Sequence, residues 1–479
     1  MISAISNLST RQKLIILVGL GFLLRLYAVF AAVTISVDSV GYIRLASEFL
    51  AGNYSGIMDT FRPPLYPLLI SIFSYVFQDI ELSARIVSLV FGTLVIPFSF
   101  YFARFISNEK IGLLTAFFVA FHPYLIRFSG DVLTESTYHF MLLMITFLSL
   151  RAVVNRSILA AFLAGVFIAL GYVTKPGAIV IMPLLSFMII FYNIRSIKRD
   201  WGKRLLLLLS SWGIFMFMAL PYLLFLSKEL GSGSVSGKYD VWVIVNVFID
   251  IFIRGRHLGT FIQHFPEAMS LALFPFFIYG LYRRFKEGFP RVEVWLLVMI
   301  VFYCFMYIIV GSSKRYLVHL MPFTLIFVAM GFCYFEQYLY VKFKKKAPVY
   351  VFILLALITL AHMPVALAPL KANHLPEKLA GEWILEHDGE GVKILTRKPI
   401  VTYYAKGRYQ RMRREQLTNI AKITEQAKST EVVYLAGYVK VLKRTIVDFS
   451  EDRAFKELVK VKTFKGKDKT FVVYRFRTS

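Results

Sequence analysis

The sequence predicts an all-α polytopic membrane domain followed by a small α/β domain outside the membrane. Three observations support this fold class. The chain of 479 residues is 57% hydrophobic, and its mean hydropathy of +0.63 is far above that of a soluble domain. Its apolar residues form blocks of about twenty, the length of a helix that crosses the hydrocarbon core. From residue 371 onward, apolar and polar residues mix as they do in a water-exposed fold.

The apolar blocks predict about eleven membrane-spanning helices. Blocks such as Leu14–Val33, Ile86–Phe105 and Leu205–Leu226 are continuous rather than alternating, which excludes barrel strands. Cys304 and Cys333 both lie within apolar blocks, so neither a disulfide framework nor a thiolate metal site is expected. The predicted spans lie near residues 14–35, 82–105, 110–128, 133–152, 157–174, 177–194, 205–226, 265–282, 294–311, 317–339 and 348–368.

The distribution of cations predicts the orientation in the membrane. Alternate loops carry Lys and Arg clusters, which marks them as cytoplasmic. These clusters explain much of the net charge of +26 without a nucleic-acid partner. We therefore expect a multi-pass protein of the cell membrane with a cytoplasmic N-terminus and an extracytoplasmic C-terminus. The clusters are Arg104 with Lys110, Arg151 with Arg156, and the runs Arg195–Arg204, Arg283–Arg291 and Lys342–Lys346.

Two apolar stretches are too short to span a bilayer. Leu65–Phe77 follows Pro63-Pro64, and counting it as a span would place every later cationic loop outside. Val241–Ile253 lies in a long outer loop. We expect the first to be an interfacial or re-entrant helix and the second to lie on the membrane surface.

The domain organisation follows from the change in composition. Residues 1–370 are predicted to form the membrane domain, and residues 371–479 the extracytoplasmic α/β domain. Within the latter, Leu379–His387 has helical spacing, and Val392–Leu395, Glu431–Leu435 and Phe471–Phe476 are typical of short strands.

Three carboxylates next to predicted spans on the outer side are candidates for catalysis. Asp38 could take a proton from a hydroxyl group, or it could be a helix N-cap, since Asp38-Ser39 opens an amphipathic run. Asp131 and Glu135 are four residues apart and are expected on one face of a helix. Capping of the helix would by itself be enough to explain Asp131. An ionisable group drawn towards the bilayer, as Glu135 is, indicates function.

Cations accumulate on the same predicted side. For each one singly, snorkelling to lipid headgroups is an equally good interpretation. Together they favour an anion-binding site, because cations next to carboxylates suit transfer from a phosphate-linked donor. The cations are Arg62, Lys175, Arg254, Arg256, Lys314 and Arg315.

Several sequence segments occur in an order that resembles the GT-C superfamily of polytopic glycosyltransferases, in its protein O-mannosyltransferase-like branch that includes lipid A aminoarabinose transferases. The resemblance runs across nearly the whole chain and implies a GT-C membrane domain. The segments are VDSVGYIRLA, FRPPLYPLL, DVLTES, GYVTKPG, SSKRYLVHLMP and LAGEWILEHDGEGVKIL.

The resemblance implies a function and assigns roles to residues. Asp38 holds the position of the catalytic acidic residue of the first loop, although Ser39 stands where many protein O-mannosyltransferases have Glu. Arg62, Lys175 and either Lys314 or Arg315 hold positions of cations that meet the lipid phosphate, and Arg254 or Arg256 is a weaker assignment. The implied donor is a polyprenyl-phosphate sugar, transferred with inversion.

The implied acceptor is a lipid, glycan or protein of the cell envelope or periplasm, and membrane lipids are further partners. No cofactor is assigned with certainty, and a divalent metal stays open as a cofactor, although no ligand pattern in the sequence supports it. Two other functions compete: a multi-span secondary transporter, and a non-catalytic component of a polysaccharide assembly complex. A transporter would place binding residues at the bilayer midplane, whereas the candidates here lie near one surface.

Overall fold

The structure is a computed structural model that describes residues 8–193, 195, 198–231, 234–236, 239–240, 258–310, 313–412, 420–446, 458–466 and 469–477. The chain divides into two compact units. The membrane unit contains Met1–Phe30 and Leu45–Ala368, and the C-terminal unit contains Ala31–Arg44 and Pro369–Ser479. The C-terminal unit thus includes the segment after the first helix, which the sequence analysis assigned to the membrane domain.

Among the described residues up to 368, the regular secondary structure is helical apart from one short hairpin of Ser234–Ser236 (β1) and Tyr239–Asp240 (β2). Short 3-10 helices occur at Tyr54–Ile57, Pro176–Val180, Val318–Leu320 and Lys344–Lys346. The α-helices are Thr10–Phe30 (α1), Val37–Leu50 (α2), Leu65–Phe77 (α3), Ile80–Ile106 (α4), Glu109–Phe121 (α5), Pro123–Ser129 (α6), Glu135–Val154 (α7), Ile158–Tyr172 (α8), Ile181–Phe191 (α9), Trp201–Leu230 (α10), Leu258–Met269 (α11), Phe274–Glu287 (α12), Arg291–Val310 (α13), Lys314–Leu317 (α14), Met321–Phe343 (α15) and Ala347–Ala366 (α16).

The polytopic helical architecture predicted from the sequence is confirmed. In the described part of the chain, six helical segments are long and apolar enough to cross a membrane, or eight if each of two bent pairs is one span. The last segment, Lys314–Ala366, contains both α15 and α16. Leu65–Phe77 is a helix, as expected, and Val241–Ile253 lies outside the described residues. The number of about eleven spans stays a prediction.

Two predicted spans are not continuous helices. The span 110–128 bends by 59° between α5 and α6, and the span 265–282 bends by 102° between α11 and α12. Pro123 begins α6 and Pro275 lies at the start of α12, and proline cannot donate the backbone hydrogen bond that would continue the preceding helix. Ser270 adds a left-handed residue, with φ of 76°, at the second break.

The carbonyls left open at the first break are satisfied by side chains from other helices. Arg25 of α1 is fully buried, and its guanidinium donates to four backbone carbonyls, two of which belong to the last turn of α5. His362 of α16 donates from Nδ1 to the carbonyl of Phe121 at 3.2 Å. The break is therefore capped, since helix ends need partners for their last carbonyls. The four acceptors of Arg25, each at 3.0 Å, are Gly21, Gly92, Val119 and Ala120.

Replacing Arg25 by methionine is expected to destabilise the membrane unit by on the order of 3 kcal/mol, because buried carbonyls would lose their donors. The measurement is the unfolding temperature of the purified protein in detergent. Arg11→Met is the matched control, because Arg11 is an exposed arginine on the same helix. Equal unfolding temperatures for the two variants would contradict the capping role.

Helix α7 is the centre of the membrane unit. Almost every residue from Glu135 to Val153 is buried, with neighbours from α4, α8 and α13 among the surrounding helices. A helix that is hydrophobic on all sides is expected in such a position. Its first residue, Glu135, is consequently held in a fixed place at one end of the bundle.

The C-terminal unit is a small mixed α/β fold, as predicted. Its five-stranded sheet has the order β4-β3-β5-β7-β6, in which β3 is parallel to both neighbours and β7 is antiparallel to both of its own. A 3-10 helix covers Ala372–His374. The other elements are Leu375–Asp388 (α17), Lys393–Thr396 (β3), Pro399–Tyr404 (α18), Arg408–Arg411 (β4), Ile420–Ser429 (α19), Tyr434–Tyr438 (β5), Val439–Thr445 (α20), Leu458–Lys465 (β6) and Thr470–Phe476 (β7).

One predicted strand begins later than expected. The sequence analysis placed it at Glu431–Leu435, but β5 starts at Tyr434. Glu431 has a φ of 54°, a left-handed conformation that a strand cannot contain. The expected helix Leu379–His387 and the strands Val392–Leu395 and Phe471–Phe476 coincide with α17, β3 and β7 to within a few residues.

The segment that follows α1 is bound to the C-terminal unit by its backbone. The Val33 N–H donates to the Leu370 carbonyl, and the Leu370 N–H donates to the Ala31 carbonyl, both at 3.0 Å. The Thr34 hydroxyl contacts the Tyr404 hydroxyl at 3.2 Å. Residues 31–36 therefore form part of this unit and lead directly into α2.

Candidate functional site

The chain turns sharply before α7. Residues 131–134 form bends, the Leu133 N–H donates to the Asp131 carbonyl at 2.9 Å, and the helix begins at Glu135. The prediction that Asp131 and Glu135 share one helical face is therefore wrong. The carboxylate of Glu135 lies in the first turn, where the positive end of the helix dipole favours a negative charge. Asp131 is almost fully buried in the turn itself.

Lys175 reaches Glu135 from the end of another helix. It is the extended residue between α8 and the 3-10 helix Pro176–Val180, and its backbone is held on both sides, by the Gly171 carbonyl at 2.8 Å and the Ala178 N–H at 3.1 Å. This places Lys175 Nζ 2.9 Å from Glu135 Oε1. The tight turn at Lys175 is thus what aims its ammonium at the carboxylate.

Arg315 completes the ion pair from a third part of the chain. It lies on α14, and its Nε donates to the same Oε1 of Glu135. His319, one turn further on, accepts a hydrogen bond from Lys175 at its Nε2, at 3.0 Å. Because an ammonium can only donate, the His319 proton lies on Nδ1. Glu135, Lys175, Arg315 and His319 are hereafter the Glu135 cluster.

Aromatic rings surround the ammonium of Lys175. Its Nζ lies 5.4 Å from the ring centre of Tyr138 and 5.5 Å from that of Tyr316. Such contacts stabilise a cation that is partly removed from water. They also fix the direction of the side chain, because the ammonium is held between two rings and a carboxylate.

The Glu135 cluster has an excess of positive charge. Glu135 is fully buried, while the side chains of Lys175 and Arg315 are 19% and 30% exposed. A buried carboxylate with two cationic partners is ionised, since an unpaired charge would be costly there. One carboxylate against two cations leaves a site that can bind an anion from the exposed side. The second carboxylate oxygen, Oε2, has no hydrogen-bond partner among the described residues.

The other predicted cations have different surroundings. Lys314 Nζ pairs with Glu267 Oε2 at 3.1 Å and lies over the Tyr124 ring at 4.7 Å, so Arg315 rather than Lys314 contacts Glu135. The segment of Arg62 is held near the start of Lys175's turn, because the Leu65 N–H donates to the Val173 carbonyl at 3.0 Å. Arg254 and Arg256 lie outside the described residues.

Asp38 belongs to the C-terminal unit and is exposed in the first turn of α2. The helix begins at Val37, so Asp38 is not its N-cap. Ser36 precedes the helix instead, and its backbone N–H and hydroxyl contact the Ser39 hydroxyl at 3.1 Å and 2.8 Å. The start of the helix is therefore closed by serines, and Asp38 is an exposed residue of its first turn.

Sequence reasoning missed His319, Tyr138 and Tyr316. A signal was present, because His319 follows Arg315 by four residues and Tyr138 follows Glu135 by three, the spacings that place helical side chains side by side. No three His, Cys, Asp or Glu side chains lie close enough together to hold a metal ion within the described part of the chain.

The fold is that of the GT-C superfamily of polytopic membrane glycosyltransferases. The sequence model of the family described as dolichyl-phosphate-mannose-protein mannosyltransferase matches residues 61–225, which include Arg62, Glu135 and Lys175. No curated protein sequence matches the chain.

Two solved structures resemble this protein over most of its chain. ArnT from Cupriavidus metallidurans bound to undecaprenyl phosphate has a TM-score of 0.62 at 12% identity, over 96% of this chain and 97% of that one. The oligosaccharyltransferase AglB from Archaeoglobus fulgidus, in complex with an inhibitory peptide and a dolichol-phosphate, has a TM-score of 0.59 at 14% identity, over 90% of this chain and 69% of that one. At such identities the likeness concerns the fold.

Proposed function

We propose that this protein is an inverting glycosyltransferase that moves a sugar from a polyprenyl-phosphate donor to an acceptor of the cell envelope. The acceptor is a lipid, a glycan or a protein. The observation that carries the proposal is the Glu135 cluster, which combines a buried carboxylate with two partly exposed cations at one end of the central helix. A GT-C fold with such a cluster is suited to binding a lipid phosphate.

The cations of the cluster bind the phosphate of the donor. When the bond between the sugar and the phosphate oxygen breaks, negative charge develops on that oxygen, and fixed cations stabilise it. Lys175 and Arg315 act directly in this role, and Arg62 adds a cation from the neighbouring segment. Glu135 is a positioning residue, because it holds both cations in place and keeps them together against their mutual repulsion.

The acceptor is activated by Asp38 in this proposal. The acceptor oxygen attacks the anomeric carbon from the face opposite the phosphate, its proton passes to the Asp38 carboxylate, and polyprenyl phosphate leaves. One displacement inverts the anomeric centre. Asp131 and Glu135 were further candidates for the base, but Glu135 is neutralised by two cations and is poorly suited to accept a proton.

Two solved structures support the donor class. ArnT is bound to undecaprenyl phosphate and AglB to a dolichol-phosphate, which are both polyprenyl-type phosphates. A transporter is less well supported, because the Glu135 cluster lies at the end of the central helix rather than halfway along it.

We propose that the Glu135 cluster and the C-terminal unit both face the outside of the cell membrane, with the N-terminus in the cytoplasm. The asymmetry of the cationic loops supports this orientation. Alkaline phosphatase fused to the C-terminus is expected to be active, since this enzyme folds only outside the cytoplasm. Fluorescence of a cytoplasmic reporter at the same position would show that the orientation is the opposite one. The site would then lie on the wrong side of the membrane for this donor.

The function is tested by mass spectrometry of envelope lipids, glycans and proteins from cells with and without the protein. We expect one acceptor to lose a single sugar residue in its absence, with accumulation of the corresponding polyprenyl-phosphate sugar. Restoration by the wild-type chain but not by Arg315→Ala would link the change to the Glu135 cluster. Unchanged envelope composition with unchanged donor levels would reject the proposed function.

A further inference from the structure

A second polar pocket lies at the opposite end of the central helix. Because α7 has 20 residues, its ends are about 30 Å apart at 1.5 Å per residue. A partly open cavity of about 160 Å³ lies there between the end of α7, the end of α9 and the start of α10. Its lining includes Arg156, Asp200 and Lys203 together with the apolar Ile189 and Leu207. It shares no residue with the Glu135 cluster.

The deepest cation of this pocket is already used by the protein. Arg204 is buried, and its guanidinium donates to the last carbonyls of α9 and its following turn. Its positive charge is therefore balanced by the negative end of a helix dipole. The acceptors are the carbonyls of Ile189 at 2.8 Å, Ile190 at 2.5 Å and Asn193 at 2.8 Å.

Apart from Arg204, the cations in and beside the pocket outnumber the one carboxylate in its lining, Asp200. Asp200 pairs with Arg156 at 2.6 Å and lies 3.7 Å from Arg199 Nε. Lys203 is exposed and has no ion-pair partner in the part of the chain that the structure describes. One carboxylate against the two lining cations Arg156 and Lys203 leaves positive charge at the pocket, and an anion would offset it.

The surroundings of the pocket are those of a lipid headgroup region. Trp201, at the start of α10, is 49% exposed, and tryptophan is enriched where a helix enters the interface. Directly after it, Leu205, Leu206 and Leu209 are exposed apolar residues on the same helix. The pocket therefore lies at the level where α10 enters the membrane, and its own lining combines cations with the apolar side chains of Ile189 and Leu207.

We propose that this pocket binds the phosphodiester headgroup of an anionic phospholipid, with Arg156 and Lys203 as the cations that contact the phosphate and Ile189 and Leu207 as the apolar wall beside it. Basic pockets between membrane helices at the cytoplasmic surface bind anionic headgroups in this way. The site is distinct from the proposed donor site and lies on the side that the sequence predicts to be cytoplasmic.

The test is native mass spectrometry of the purified full-length protein in detergent, titrated with phosphatidylglycerol or phosphatidylcholine. We expect saturable binding of phosphatidylglycerol, and about fivefold weaker binding by Lys203→Ala, the effect of one cation at a membrane surface. Lys345→Ala is the matched control, because Lys345 is an exposed cation of another loop on the same predicted side. This variant is expected to bind phosphatidylglycerol like the wild type.

Four outcomes would overturn the proposal. Equal binding of the two lipids would show that the charge of the headgroup does not matter. Equal weakening by Lys203→Ala and Lys345→Ala, or no weakening by either, would show that the basic surface acts as a whole rather than through the pocket. Displacement of phosphatidylglycerol by millimolar inorganic phosphate would identify the ligand as a free anion rather than a lipid.

Discussion

Asp38→Asn is expected to abolish sugar transfer while leaving donor binding nearly unchanged. General-base catalysis typically contributes about a hundred- to ten-thousandfold, and an amide cannot accept the proton of the acceptor hydroxyl. The substitution keeps the size and shape of the side chain and does not remove an N-cap. Asp38 is exposed in the first turn of α2, and the start of that helix is closed by Ser36 and Ser39 rather than by Asp38.

The measurement is sugar transfer by purified protein in nanodiscs, with binding of the polyprenyl-phosphate donor measured in parallel. Asp79→Asn is the matched control. Asp79 is the N-cap of α4, where its side chain accepts a hydrogen bond from the Leu82 N–H at 2.9 Å, and asparagine caps helices about as well. Normal transfer by Asp38→Asn would remove this residue from the mechanism and leave Asp131 as the carboxylate to test.

Arg315→Ala and Lys175→Ala are each expected to reduce turnover by on the order of a hundredfold, because each removes a cation that stabilises the leaving phosphate. Lys314→Ala is expected to retain most of the activity, since Lys314 pairs with Glu267 and not with Glu135. Turnover at saturating donor and the amount of folded protein in detergent are the two measurements. The structure thus predicts opposite effects on turnover for the substitution of two adjacent cations, Lys314 and Arg315.

The same variants distinguish phosphate binding from snorkelling. A cation that only anchors the chain to lipid headgroups would change the unfolding temperature without changing the rate of transfer per folded molecule. Near-normal turnover by both Lys175→Ala and Arg315→Ala would contradict the donor site. If Lys314→Ala lost as much activity as Arg315→Ala, the assignment of the phosphate site to the Glu135 cluster would be wrong.

The length of the apolar blocks in the sequence was sufficient to predict where the helices of the membrane unit lie, because about twenty apolar residues are needed to cross a bilayer. Their breaks were harder to predict. Pro123 and Pro275 occur within apolar blocks, and many membrane helices tolerate proline, so composition alone did not distinguish a kink from a full bend. In the C-terminal unit, β4 was missed because Arg408–Arg411 is entirely polar and tyrosine-containing, without alternating apolar residues.

The site could be predicted only as a set of residues on one side of the membrane. Glu135 contacts Lys175, which is 40 residues away in the sequence, and Arg315, which is 180 residues away. No local spacing therefore indicates these contacts. Which of Lys314 and Arg315 contacts Glu135 depends on the direction in which each side chain leaves the helix, since adjacent helical residues point about 100° apart. Asp131 was misplaced because residues 131–134 form bends and the helix begins only at Glu135.

The most direct test of the donor assignment is release of polyprenyl phosphate from lipid-linked sugars extracted from membranes of cells that lack the protein. Such membranes are expected to contain the accumulated donor. Purified wild-type protein is predicted to release polyprenyl phosphate together with transfer of the sugar to an envelope extract, whereas Arg315→Ala releases on the order of a hundredfold less. Folded wild-type protein that consumes no polyprenyl-phosphate sugar from these extracts would contradict the account.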